Sequence, residues 1–115
     1  MDNINSIFQE LYKHFNEREI DLVITHMTED VKWANGMEGG FVFGRDGVRN
    51  YWTKQFEQIK SRVKPLKIEM DNEVIKVKVH QVVHDLDGNL LSDNIVDHIF
   101  HMDGEQVAAF DIADK

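Results

Sequence analysis

Cysteine is absent from this sequence, which excludes disulfides and thiolate chemistry and is compatible with a reducing compartment, so the cytoplasm is the expected location. Long apolar runs are also missing. None approaches the roughly 18 residues of a membrane span, and the stretch MDNINSIFQELYKHF is amphipathic with acids near its start, unlike a signal peptide. Positive charge is scarce: 13 Lys and Arg against 21 Asp and Glu give a formal charge of -8. Such a chain repels a phosphate backbone, so nucleic acid is not an expected partner, and the acidity reads as solubility. No phosphate loop, serine-nucleophile motif or dinucleotide fingerprint occurs; GMEGG is a loop composition. No repeat, low-complexity run or linker interrupts the chain. At 115 residues and 13.4 kDa, a single domain over 1–115, able to bury a core without staples, is expected.

What is present is a change of hydrophobic period along the chain. Ile4, Ile7, Phe8, Leu11 and Phe15 recur at three- and four-residue steps, one stripe of a helix that Asn3 is placed to cap, with Tyr12 flanking the stripe. A second helical pattern follows at Ile20, Val23, Ile24 and Met27. Val31, Trp33 and Asn35 then alternate with Lys32 and Ala34 as a short strand ending at Asn35-Gly36. Residues 36–44 hold four of the seven glycines and read as a loop with a short extended piece at 41–43. Asp46 is placed to cap a third helix carrying Val48, Tyr51, Trp52, Gln55, Phe56 and Ile59 on a broad face, ended by Ser61 and Pro65. Leu66, Ile68 and Met70 begin a meander that runs through the long hairpin 74–102 to a last strand at 107–112. Helices early and an antiparallel meander late argue for α+β, the helices packed on one face of a curved sheet.

The hairpin 74–102 turns at Asp87-Gly88. If Leu86 and Asn89 oppose each other, Gln81 faces Asn94, Val79 faces Val96 and Val77 faces His98. One face then carries Val77, Val79, Val83, Val96, Phe100 and Met102 together with three neutral polar residues, Gln81, Asn94 and His98. The other carries Lys76, Lys78, His80, His84, Asp93, Asp97 and His101. Burying the second face would strand several charges, so the first belongs under the helices. Ile95 and Ile99 among the outer charges imply partial cover, and a homodimer laid sheet against sheet is expected, with Lys78 and Asp97 as a cross-strand ion pair worth roughly 0.2 to 1 kcal/mol.

The order of these elements resembles the nuclear transport factor 2-like superfamily in its SnoaL-like branch. The likeness spans nearly the whole chain. It is carried by Trp33; by Gly44-Arg45-Asp46 with Tyr51-Trp52-Thr53-Lys54-Gln55; by 79–85 (VHQVVHD) with Asp87-Gly88; and by 96–100 (VDHIF) before Asp103-Gly104. It implies a cone of curved antiparallel sheet closed by the three helices of the N-terminal half, an apolar cavity between them, and commonly a dimer. In the ketosteroid isomerases of that superfamily an aspartate base, a protonated aspartate and a tyrosine do the chemistry. Their positions fall here at Asn35, His98 and Leu11, with Tyr12 one residue from the last. This chain departs from the isomerase at all three, and Asn35 cannot take a proton.

The resemblance thus implies a pocket with His98 as the candidate catalytic acid or base. Asn35, Gln81 and Asn94 are its other polar fittings, and Trp33, Trp52, Phe56, Phe110 and Ile112 its walls. Histidine is the side chain that titrates near neutrality, and Gln81 can donate and accept at once. Its ligand would be small, apolar or carbonyl-bearing, and a reaction would be proton transfer without cofactor: isomerisation, cyclisation or dehydration. The alternative is a non-catalytic structural or interaction module with a filled cavity. No metal site is expected. His80 and His84 lie about 13 Å apart along a strand, too far for one ion, and His98 and His101 point to opposite faces.

Overall fold

A computed structural model describes residues 2–35 and 39–113, without the side chains of residues 2–4. The expected cap Asn3, the stripe position Ile4 and the glycine-loop residues 36–38 therefore lie outside what is described. The elements are α1 (Asp2–Asn16), α2 (Ile20–Ile24), β1 (Met27–Ala34), β2 (Phe41–Phe43), α3 (Gly44–Gln58), β3 (Ile59–Asp71), β4 (Val74–Asp85), β5 (Leu90–Asp103) and β6 (Gln106–Ala113). The strands form one curved sheet in the order β2-β1-β6-β5-β4-β3. All pairs are antiparallel except β1 with β6, which run parallel.

The expected α+β architecture is the one observed. The sheet buries the predicted face: Val77, Val79, His98, Phe100 and Met102 are inside, whereas Lys76, Lys78 and His101 are exposed. The register also agrees, with Val77 opposite His98, Val79 opposite Val96 and Gln81 opposite Asn94. It is reached differently from the two-residue turn assumed. Asp85 accepts from the amides of Asp87 and Asn89 at 2.9 Å, and its own amide donates to the Asn89 carbonyl, which closes a three-residue loop over 86–88. His84 then pairs with Leu90, and a bulge before Val83 and Ser92 restores the expected register.

Several boundaries differ from expectation. α2 stops at Ile24, and Met27 opens β1 instead of closing the helix, fully buried against the sheet. Asp46 lies in the first turn of α3 and caps nothing; it pairs with Arg49 at 3.0 Å. The start of α3 is set instead by Gly44, whose φ of 78° lies in the left-handed region, and by Arg45, which donates to the Met27 carbonyl. α3 ends at Gln58, and Ile59, Ser61 and Pro65 belong to β3.

Proline is tolerated in β3 because this is an edge strand. The Asn16 side chain donates to the Val63 carbonyl at 2.8 Å and accepts from its amide at 2.9 Å, so Val63 turns its backbone to the open edge. Pro65, two residues on, places its missing N–H on that same edge, and a register shift follows before Lys67. Arg18 extends the cover, donating to the Ser61 carbonyl at 2.9 Å while lying over the Phe56 ring at 4.4 Å. The end of α1 thus occupies an edge that would otherwise offer a template for pairing. Replacing Asn16 with Ala should cost about 1–2 kcal/mol in urea denaturation and speed amide exchange at Val63; unchanged protection at that amide would refute the edge-capping role.

Candidate functional site

A cavity of about 290 Å³ lies between α1, α3 and the inner face of the sheet. Its aromatic wall is built from four elements. Trp33 of β1 stacks on Phe110 of β6 at 4.1 Å, meets Trp52 of α3 edge-on at 5.2 Å, and Phe100 of β5 lies 5.0 Å from Phe110. Alternation on the strands and the three-to-four-residue step on α3 aim these rings at one space. Among the described residues no charged side chain lines it, although 30% of the chain is charged. Its polar lining comes from Tyr12, Tyr51, Gln55, Ser61, Gln81, Ser92 and His98.

His98 is 8% exposed and Tyr12 is 3% exposed, and the Tyr12 hydroxyl lies 2.7 Å from His98 Nδ1. The two rings are nearly parallel, with centroids 5.9 Å apart, and Phe110 meets the imidazole edge-to-face at 4.9 Å. Burial disfavours charge on both. It lowers the His98 imidazole to about 4 and pushes the Tyr12 phenol well above its usual range. The pair is therefore neutral at physiological pH.

Of the residues expected at the site, His98, Gln81, Trp33, Trp52, Phe110 and Ile112 line this cavity; Asn35, Asn94 and Phe56 do not. Asn94 is exposed, because the last described pair of β5 with β6 is Asp97 with Ala113 and beyond it the outer edge of β5 has no described strand beside it. Phe56 packs on Phe15 and beneath Arg18. The Asn35 backbone is bonded to Gly39 and Gly40 at the end of β1. Tyr12 was absent from the expected site because it flanks the apolar stripe of α1. The signal that could have found it is the unpaired polarity of His98: a buried imidazole on an apolar face requires a partner from the element packed above it.

The remaining histidines lie elsewhere. His80 pairs with Asp93 at 2.7 Å on the outer face, and His14 bonds Glu19 at 2.7 Å. With Glu17 the latter two form a surface group whose ligand atoms fall within 4.8 Å of one another. On the outer face the ion pair to Asp97 comes from Lys76, at 3.9 Å on the diagonal, and not from the directly opposed Lys78. No helix among the described residues is long and apolar enough to cross a membrane.

Solved structures match the chain along its whole length. A nuclear transport factor 2-like protein of unknown function from Burkholderia pseudomallei superposes with a TM-score of 0.88 at 22% identity, covering 100% of this chain and 92% of that one. This chain has the nuclear transport factor 2-like fold. TerC, co-crystallised with polyporic acid, matches with a TM-score of 0.85 at 18% identity over 97% of this chain and 91% of its own. A putative polyketide cyclase from Xanthomonas campestris pv. campestris gives 0.80 at 16% identity over 99% and 91%. No family model and no curated protein matches the sequence.

Unfolding exposes His98 to water, where its pKa returns to about 6.5. The unfolded chain then binds more protons than the folded one between about pH 6.5 and the folded value near 4, so the stability that the neutral imidazole secures is complete above that window and lost as pH falls through it. The loss should be on the order of 3 kcal/mol. Urea midpoints measured from pH 7.5 to 4 should show it, and a His98→Leu variant should show a shallower fall; equal slopes would refute the assignment.

Proposed function

We propose that this protein binds a small, neutral, largely apolar molecule bearing a carbonyl or hydroxyl oxygen, in the cavity over the β4–β5 floor. The observation that carries this reading is a space of about 290 Å³ walled by stacked aromatics, whose polar lining among the described residues is uncharged. An ionised ligand would lose its hydration there without meeting a counter-charge. A flat apolar body suits the Trp33, Trp52 and Phe110 rings, and an oxygen at its edge suits His98 and Gln81. Polyporic acid in TerC and the cyclase assignment of the Xanthomonas protein support a small-molecule ligand in a pocket of this fold; polyporic acid is itself an acid, so the neutrality proposed here rests on the lining alone. The reaction class that suits the lining is proton transfer in isomerisation, cyclisation or dehydration, with His98 against the reacting oxygen. An open cavity of this volume weighs against the alternative of a filled structural module.

The outer face of the sheet is the proposed homodimer contact. Lys60, Arg62, Lys64, Lys67, Lys76 and Lys78 crowd the β3–β4 side, and Asp93 and Asp97 the β5 side, so two copies related by a twofold axis can set basic against acidic halves. Ile95, 57% exposed between Asp93 and Asp97, lies on that face.

Neutral aromatic ketones should raise the melting temperature by several degrees at a hundredfold excess over Kd, and benzoate-type acids of the same size should not. An Ala34→Phe variant, which fills the cavity beside Trp33, should lose that response while staying folded. If neither class of compound shifts the wild type, the binding reading fails. Light scattering at micromolar concentration should return twice the 13.4 kDa chain mass, and Ile95→Lys should shift it towards monomer; a wild-type monomer would exclude the dimer.

A further inference from the structure

Tyr12 and His98 form a pair whose protons can be assigned from the burial of the atoms around them. The phenol has one hydrogen and the neutral imidazole has one, and the one hydrogen bond between them joins the Tyr12 oxygen and His98 Nδ1 at 2.7 Å. Two arrangements satisfy that distance. In the first, Nδ1–H donates to the phenol oxygen, and the phenol's own hydrogen then needs another acceptor. Among the described residues the Tyr12 hydroxyl has no other hydrogen-bond partner, and of the two cavity-lining residues Tyr12 is the more deeply buried, 3% exposed against 8% for His98. In the second, the phenol donates to the Nδ1 lone pair, so the more deeply buried hydroxyl is satisfied, and the imidazole hydrogen is left on Nε2. A buried donor without a partner costs more than an ordinary hydrogen bond contributes, so the second arrangement is favoured.

The Nε2 atom is also placed to use that hydrogen. His98 lines the cavity, Nε2 has no partner among the described residues, and no buried side-chain nitrogen or oxygen among them is left sealed without one. Nε2 therefore opens onto the cavity.

We propose that Tyr12 is a positioning residue that holds His98 in its Nε2–H tautomer, so that the imidazole meets the ligand as a hydrogen-bond donor to a carbonyl or enolate oxygen and presents no basic lone pair. This rests on the pocket reading above and sharpens it. It removes the general-base half of the acid-or-base role expected for His98. A base for any proton abstraction must come from the substrate, from water or from another group. The low affinity of the buried ring for a second proton keeps it in this neutral donor form across the physiological range.

The lock can be read without a ligand. A long-range 1H–15N correlation spectrum of the uniformly labelled protein at pH 7 should show His98 as a single Nε2–H tautomer, and Tyr12→Phe should convert it to a mixture or to Nδ1–H. An Nδ1–H tautomer in the wild type, or a tautomer indifferent to Tyr12→Phe, would overturn the proposal. Should the variant fail to fold, the wild-type spectrum still decides. Adding 1-tetralone should move the His98 Hε2 resonance downfield, whereas tetralin, which lacks the oxygen, should enter without that change; an Hε2 shift common to both would count against the donor role. Absence of binding by both compounds would instead overturn the pocket reading, a result distinct from the tautomer.

Discussion

A one-residue slip between β4 and β5 would turn His98, Phe100 and Val77 to solvent and carry Lys76, Lys78 and Asp97 under the helices. Every other feature of the molecule depends on that slip not happening. The register is fixed at one end by the Asp85 cap over the 86–89 turn and its compensating bulge. On the outer face it is bordered by Lys76, Lys78, Asp93 and Asp97, whose burial would cost far more than the exposed ion pairs contribute. With the floor in register, α1 has a single apolar face to settle on, and Tyr12 reaches His98 from above.

The cavity exists because the sheet curves and the helices cannot fill the space it encloses. Trp33, Trp52 and Phe110 close one side as a stacked and edge-on cluster, while the long strands β4 and β5 run past the end of β6. The fold is shared with proteins of varied description, so fold alone names no reaction. The pocket of this chain is an aromatic wall with uncharged polar fittings among the described residues, His98 and Gln81 with them.

Much of the floor was legible in the sequence, since strict alternation and a glycine turn specify both which face is buried and which residues oppose one another. Misplaced boundaries have local reasons. Met27 continues the spacing of Ile20, Val23 and Ile24, and only pairing with Val107 makes it a strand residue. Pro65 reads as a helix stop because its tolerance in β3 depends on lying at the sheet edge, a fact of topology. Asn94 shares its face with His98, but whether that face is covered at Asn94 depends on how far β6 extends.

By itself the sequence determined the α+β class, the inner face of the hairpin and the placing of His98 on it, because these follow from period and charge along a single chain. Tertiary structure alone decided that Tyr12 meets His98, that Asn35 and Asn94 stand outside the cavity, and that Asn16 and Arg18 cover the edge of β3. These are contacts between elements 40 to 90 residues apart, as with Tyr12 and His98 at a separation of 86. Their geometry is set by sheet curvature and helix docking, which leave no periodic mark on the residues they join.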